Sequence, residues 1–337
     1  MRSVYRTPMG VLITGGAGFI GSHLAERLLE TRGGPITLFD NFSTGRRTNV
    51  EGLADEARID LVDGDVRDRG AVADAVADAE AVYHLAGGVG VQRVVEKPIE
   101  SFQTNVHGTE NVLEAAVPDT PVFLASTSEV YGKSPDLPFS EDDDRVLGPT
   151  SVSRWGYATA KAADEFLALA YHRQKGLPVV VGRLFNVAGP RQTGSYGMVV
   201  PTFVEQALRN QTLTVYGDGT QTRCFSHVED VVGIIAELMD TSAAIGEVIN
   251  IGSGQDVSIN QLAESVIELS GSDSPIVHVP LESVYGDEFE ESTHRKPDSS
   301  KLESIIGRRV PGDLDRILRD VIARKREALA GARSTTA

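Results

Sequence analysis

Short apolar runs alternate with helical periodicities through the first half of the chain. Runs at residues 11–14, 36–39, 58–63, 81–85, 122–126 and 179–184 have the length and the β-branched content of buried strands. Between them, apolar residues recur at helical spacing over 22–30, 69–77, 99–116 and 154–174. This alternation predicts an α/β fold, a Rossmann-type doubly wound parallel sheet. Past residue 186 the pattern loosens into glycine and proline punctuation, with a helix at 199–209 and a short strand at 214–216. A helical segment at 231–239 and a strand at 248–251 read as a return to the first lobe, and no internal repeat is present.

The turn between the first strand and the first helix carries the first chemical signal. Gly15-Gly16-Ala17-Gly18-Phe19-Ile20-Gly21 joins an apolar strand to an amphipathic helix, and its glycines let backbone amides approach a pyrophosphate at the helix N-terminus. The second apolar run ends in Asp40, about 20 residues beyond the turn, where a carboxylate accepts bonds from ribose hydroxyls and repels a 2'-phosphate. NAD, rather than NADP, is the expected cofactor. The expected division is a NAD-binding Rossmann domain over 1–185, with 225–252 returning to it. A smaller, mixed α/β C-terminal substrate lobe takes 186–224 and 253–330, and 331–337 form a flexible tail within a small, polar stretch from 328 that should fray.

The second signal is Tyr157-Ala158-Thr159-Ala160-Lys161, with Thr127 about 30 residues upstream at a strand end. A tyrosine and a lysine four apart share a helix face, so the ammonium can lower the phenol pKa and let a phenolate take a hydroxyl proton. That is the chemistry of alcohol oxidation. Thr127 and Asn186 both follow predicted strands, where ligands of doubly wound sheets bind.

Composition narrows the partners. The 337 residues carry a formal net charge of −16, which argues against nucleic acid and membrane surfaces. Cys224 is the only cysteine, so neither an internal disulfide nor a cysteine-rich metal site is expected, and no metal is assigned. With no apolar stretch near 18 residues and no signal peptide, a cytoplasmic protein is the default expectation. His84 at a buried strand end reads as structural, Cys224 as packing, and Glu141-Asp142-Asp143-Asp144 as a solvated turn without calcium-loop spacing.

Together these motifs resemble the extended short-chain dehydrogenases that act on nucleotide-diphosphate sugars, over residues 11 to about 312. Besides the glycine turn, the resemblance rests on Asp40-Asn41, Gly64-Asp65-Val66, His84-Leu85-Ala86, Arg183-Leu184-Phe185-Asn186, Gly189-Pro190-Arg191 and Gln221-Thr222-Arg223. It implies that Gly15, Gly18, Phe19, Ile20, Gly21, Asp40, Asn41, Asp65, Val66, Leu85 and Ala86, with Tyr157 and Lys161, hold NAD. It further implies that Asn186, Arg191 and Arg223 hold the sugar-nucleotide diphosphate. A doubly charged pyrophosphate in an acidic chain independently calls for guanidinium and amide donors.

Members of this family share a first step, in which Tyr157 takes the 4-hydroxyl proton, Thr127 bonds the same oxygen and C4 hydride passes to NAD. The fate of the 4-ketone is set by the residues that follow Thr127. Dehydratases carry an Asp-Glu pair there, whereas this chain has Ser128 and Glu129, as in Thr-Ser-Glu-Val-Tyr-Gly of the uronate decarboxylases. Tyr285-Gly286, Phe289 and His294-Arg295-Lys296-Pro297 look like the active-site segment of bacterial UDP-glucuronate decarboxylases, with Phe289 in place of a tyrosine. Arg295 then faces the substrate carboxylate and Tyr285 lines the substrate site. The expected catalytic set is Thr127, Ser128, Glu129, Tyr157, Lys161 and Arg295. The expected reaction is NAD-dependent decarboxylation of UDP-glucuronate to UDP-xylose and/or a UDP-4-keto-pentose. Residues 147–155 and 89–95 look more like members that are 4-epimerases, so 4-epimerisation of UDP-glucuronate or UDP-glucose stays open. A non-catalytic NAD-binding scaffold is the remote alternative. The resemblance also implies a homodimer built on 99–116 and 154–174, where Ala163, Leu167 and Ala170 form an apolar stripe.

Overall fold

The computed structural model describes residues 10–53, 55–281, 283 and 294–334. Its first half alternates β1 (Gly10–Thr14), α1 (Phe19–Thr31), β2 (Ile36–Asp40), β3 (Ile59–Asp63), α2 (Arg69–Ala77), β4 (Ala79–His84), α3 (Val91–Glu96), α4 (Pro98–Ala115), β5 (Val122–Thr127), α5 (Arg154–Lys175) and β6 (Val179–Leu184). The second half holds β7 (Val187–Ala188), α6 (Val199–Leu208), β8 (Leu213–Tyr216), β9 (Thr222–Cys224), β10 (Ser226–His227), α7 (Val228–Met239), β11 (Val248–Ile251), β12 (Asp256–Ser258), α8 (Ile259–Ser270), β13 (Ile276–Val279), α9 (Ser300–Ile306) and α10 (Leu314–Ser334).

Seven strands form one parallel sheet in the order β11-β6-β5-β4-β1-β2-β3. The Rossmann-type doubly wound sheet expected from the alternation is therefore present. Central strands such as Val11-Leu12-Ile13 are buried on both faces, which is why they read as continuous apolar runs. One apolar cluster, including Leu24, Leu28, Ile234 and Ile235, packs α1 and α7 on one face; another, including Val72, Val112 and Ala168, packs α2, α4 and α5 on the other. The strand order reverses between β1 and β4, so their carboxyl ends open the crevice where such sheets take ligands.

The rest of the chain builds a separate cluster from α6, α8 and α10, with Phe203, Val204, Leu262, Val266, Ile317 and Leu318. Three two-stranded ladders accompany it, β7 with β10, β9 with β12, and β8 with β13, and Leu213 and Val215 of β8 belong to the cluster. α8 and α10 had not been anticipated from the periodicity. α10 continues through Ser334, so residues 328–334 are helical where fraying was expected. Among the described residues no helix is long and apolar enough to cross a membrane.

α4 and α5 pack side by side and leave apolar groups outward. Ile99 is 73% exposed, Phe102 43% and Phe166 60%, with Ala163 exposed between them. The expected stripe is thus shifted by a fraction of a turn: Leu167 packs against the sheet core, and Phe166 takes the outward position.

Candidate active site

Tyr157 and Lys161 lie on α5, and Thr127 ends β5, so the carboxyl edge of the sheet brings the three together. The Thr127 side chain hydrogen-bonds the Tyr157 phenol and accepts the Glu129 N–H at 3.2 Å. Burial pushes the phenol pKa up, and Glu129 and Asp164 push it further; the Thr127 bond and the Arg295 charge offset only part of this. The spacing predicts a lysine-lowered phenol, whereas the Lys161 ammonium donates to Asp164 Oδ2 at 2.9 Å, with side chains 5% and 1% exposed.

The turn after β5 sets Ser128 and Glu129. Ser128 is buried, while Glu129 projects into a ring of guanidinium groups. Arg295 Nη1 donates to Glu129 Oε1 at 2.8 Å, and Arg154 Nη2 lies 3.7 Å from Oε2. Burial would raise this carboxyl, yet Arg295 first, with Arg154 and Arg223, outweighs it and holds the pKa at about 2. Glu129 and Arg295, 166 positions apart, meet beside Tyr157. Tyr285 lies outside the described residues, as do Gly286 and Phe289.

At the glycine turn, Gly15 has φ +72°, and a Cβ there would meet the Ala86 nitrogen at 2.8 Å. A Cβ on Gly21 would lie 2.2 Å from the Gly15 carbonyl oxygen. α1 starts after Gly18 without a side-chain cap or an acid in its first turn, leaving its positive end to an anion; Phe19 and Ile20 are its first residues. Asp40 is buried beside the turn and accepts the N–H of Ala17 at 3.0 Å and of Phe42 at 2.8 Å, with burial raising its pKa. Asn41 donates to Asp65 at 3.0 Å; Arg67 also bonds Asp65, and that bond holds the Asp65 pKa down at about 2. Leu85 and Ala86 follow β4, their N–H groups donating to the Thr14 carbonyl and hydroxyl at 3.1 and 3.3 Å, and Val66 is buried. His84 is held between Thr14 and Thr109, its pKa lowered to about 3 by burial and then by the Lys161 charge, so it is a neutral structural group.

The residues expected to meet a diphosphate lie after β6, after β7 and on β9. Asn186 has φ +26° and a buried Nδ2 with no hydrogen-bond partner. Arg191, at φ +67°, pairs with Glu26 of α1 through Nη2, while its buried Nη1 has no partner. Arg223 on β9 is 8% exposed and donates to the Thr222 carbonyl at 2.8 Å. Glu165 accepts three bonds from Arg183 and one from Ser126, and Arg183 and Asn250 bond the buried Tyr131 hydroxyl. Sequence reasoning missed Arg154 and Asp164. Each stands three positions from the reactive pair, on the same face of α5, and that spacing was the available signal.

The profile of the NAD dependent epimerase/dehydratase family matches residues 11–252, and the chain belongs to that family. Over 296 residues it is 48% identical to the UDP-N-acetyl-alpha-D-glucosaminuronate decarboxylase of Bacillus cytotoxicus, covering 87% of this chain and 90% of that protein. It is 37% identical to UDP-glucuronic acid decarboxylase 1 of Xenopus tropicalis, covering 88% of this chain and 67% of the relative. Among solved structures, the Thermus thermophilus UDP-glucose 4-epimerase complex with NAD aligns with a TM-score of 0.81 at 29% identity, over 95% of this chain and all of that one. NAD is the family's cofactor, and the crowded glycines, the uncapped helix end and the carboxylate of Asp40 fit it.

Proposed function

We propose that the protein is an NAD-dependent decarboxylase of a UDP-linked uronic acid, UDP-glucuronate in the first instance, releasing carbon dioxide to give UDP-xylose and/or a UDP-4-keto-pentose. One observation carries the reading. Glu129 is gripped by Arg295 and Arg154 beside Tyr157, a concentration of buried positive charge that a neutral hexose does not need.

Tyr157 takes the proton of the 4-hydroxyl, and Thr127 bonds the same oxygen. Bound NAD supplies the acceptor for the C4 hydride. The ketone so formed is β to the uronate carboxylate, which Arg295 grips and orients. The carboxyl carbon leaves as carbon dioxide, its bonding electrons passing into the enolate at C4 and C5, with Thr127 bonding the enolate oxygen. Arg295 cannot give its full charge to the substrate and to Glu129 at once. With Arg295 turned to the substrate carboxylate, one of the three guanidinium charges that hold the Glu129 pKa down is drawn away, and Glu129 is the carboxyl placed to pass a proton from solvent to C5. Asn186, Arg191 and Arg223 hold the diphosphate; the partnerless donors on the first two support this. Gly15, Gly18, Phe19, Ile20, Gly21, Asp40, Asn41, Asp65, Val66, Leu85 and Ala86 would hold the NAD.

A C2-acetamido uronate is a second reading, favoured by the 48% identity to a decarboxylase named for that substrate. We propose a homodimer, since Ile99, Phe102 and Phe166 are exposed apolar side chains on two adjacent helices. Arg295→Ala tests the assignment. It should weaken binding of UDP-glucuronate by roughly tenfold or more in calorimetry and abolish turnover, while UDP-glucose binding changes little. Equal loss for both ligands would remove the carboxylate contact.

A further inference from the structure

α5 places Lys161 and Asp164 one turn apart, and both are withdrawn from water, with side chains 5% and 1% exposed. A surface pair at this spacing would merely support the helix. In the interior, two desolvated charges are costly, and a structural pair would have its remaining lone pairs satisfied. Here they are not: Asp164 Oδ2 accepts from Lys161 Nζ at 2.9 Å, but Oδ1 is buried with no hydrogen-bond partner.

We propose that Asp164 is a positioning residue for the tyrosine–lysine pair, anchoring the Lys161 ammonium on the helix face that carries Tyr157 and setting a negative charge beside the phenol. The proposal rests on the reading of Tyr157 and Lys161 as the reactive groups. An ammonium has three donors on a flexible stem and no preferred direction of its own. A carboxylate fixed on the same helix face supplies that direction, while its own charge opposes ionisation of the phenol. The other groups acting on the phenol are Glu129 from the turn after β5, Arg295 from the segment before α9, and the Thr127 hydroxyl. Lys161 in turn acts on His84 of β4, which stays neutral between Thr14 and Thr109.

Asp164→Asn separates charge from shape, because the amide oxygen can still accept from Lys161. With the negative charge gone the phenol ionises more readily. The rising limb of kcat against pH should move to lower pH by about half a unit to one unit. Asp164→Glu, which keeps the charge, should leave the limb close to its wild-type position. NAD binding by calorimetry should be retained in both. If the asparagine variant does not fold, Asp164→Ser carries the same expectation. A limb that coincides with wild type in a folded neutral variant overturns the proposal, even if kcat falls, because a purely structural role would lower activity without moving the limb. Tyr157→Phe, measured alongside, separates the two claims: near-normal turnover there defeats the tyrosine assignment rather than the role of Asp164.

Discussion

At the residue scale, the reaction depends on whether a buried phenol can ionise. Tyr157 is pushed upward by burial, Glu129 and Asp164, so turnover should rise with pH, and Tyr157→Phe should lower kcat by about 100-fold or more while NAD binding persists. Near-normal kcat in that variant would remove the base. Asp40 should make NADP bind at least about tenfold more weakly than NAD in calorimetry, since on the proposed ribose contact its buried carboxylate would face a 2'-phosphate. Equal affinities would place the ribose elsewhere. Glu129 also links pH to stability. Its folded pKa of about 2 lies below the free value of 4.5. The ion pair therefore contributes fully above pH 4.5, and the contribution is lost as pH falls toward 2. Tyr157, Lys161, Thr127 and the glycine turn were legible because their chemistry is local in spacing. The ionisation of the phenol was not, because its neighbours come from distant chain: Arg295 reaches Glu129 across 166 positions. Asp164 was closer to hand, but only burial distinguishes it from a solvated helix acid.

At the scale of elements, the strands were legible because a strand buried on both faces leaves an unbroken apolar run, as in β1 and β6. α8 escaped notice although Ser258 and Gln261 form a capping box and Gly271 closes it in the left-handed region. α10 was hidden by its arginines and small residues, which look like a polar tail until Ile317, Leu318 and Val321 find α6 and α8. The turn joining β1 to α1 is the element with least tolerance. Gly21→Ala would place a methyl 2.2 Å from the Gly15 carbonyl oxygen and force the two backbones apart. The variant should lose about 1–3 kcal/mol in denaturant unfolding and bind NAD more weakly still in calorimetry. Unchanged affinity would mean that the turn does not carry the cofactor.

At the scale of the whole molecule, the site joins residues from both halves of the chain, since Glu129 at the end of β5 pairs with Arg295 of the C-terminal part. The apolar face of α4 and α5 is the outward counterpart, and light scattering at micromolar concentration should give a dimer mass for the wild type. Phe166→Asp with Ile99→Asp should shift that mass toward the monomer without unfolding, since both side chains are exposed in the single chain. A wild-type monomer would contradict the dimer. The central claim is the loss of the carboxyl group. Purified protein incubated with UDP-glucuronate, and in parallel with its 2-acetamido counterpart, should convert at least one of them to a product lighter in mass spectrometry by carbon dioxide, or by carbon dioxide and two hydrogens where the 4-keto sugar is released unreduced. Conversion to a 4-epimer of unchanged mass, with the carboxyl group intact, would contradict it.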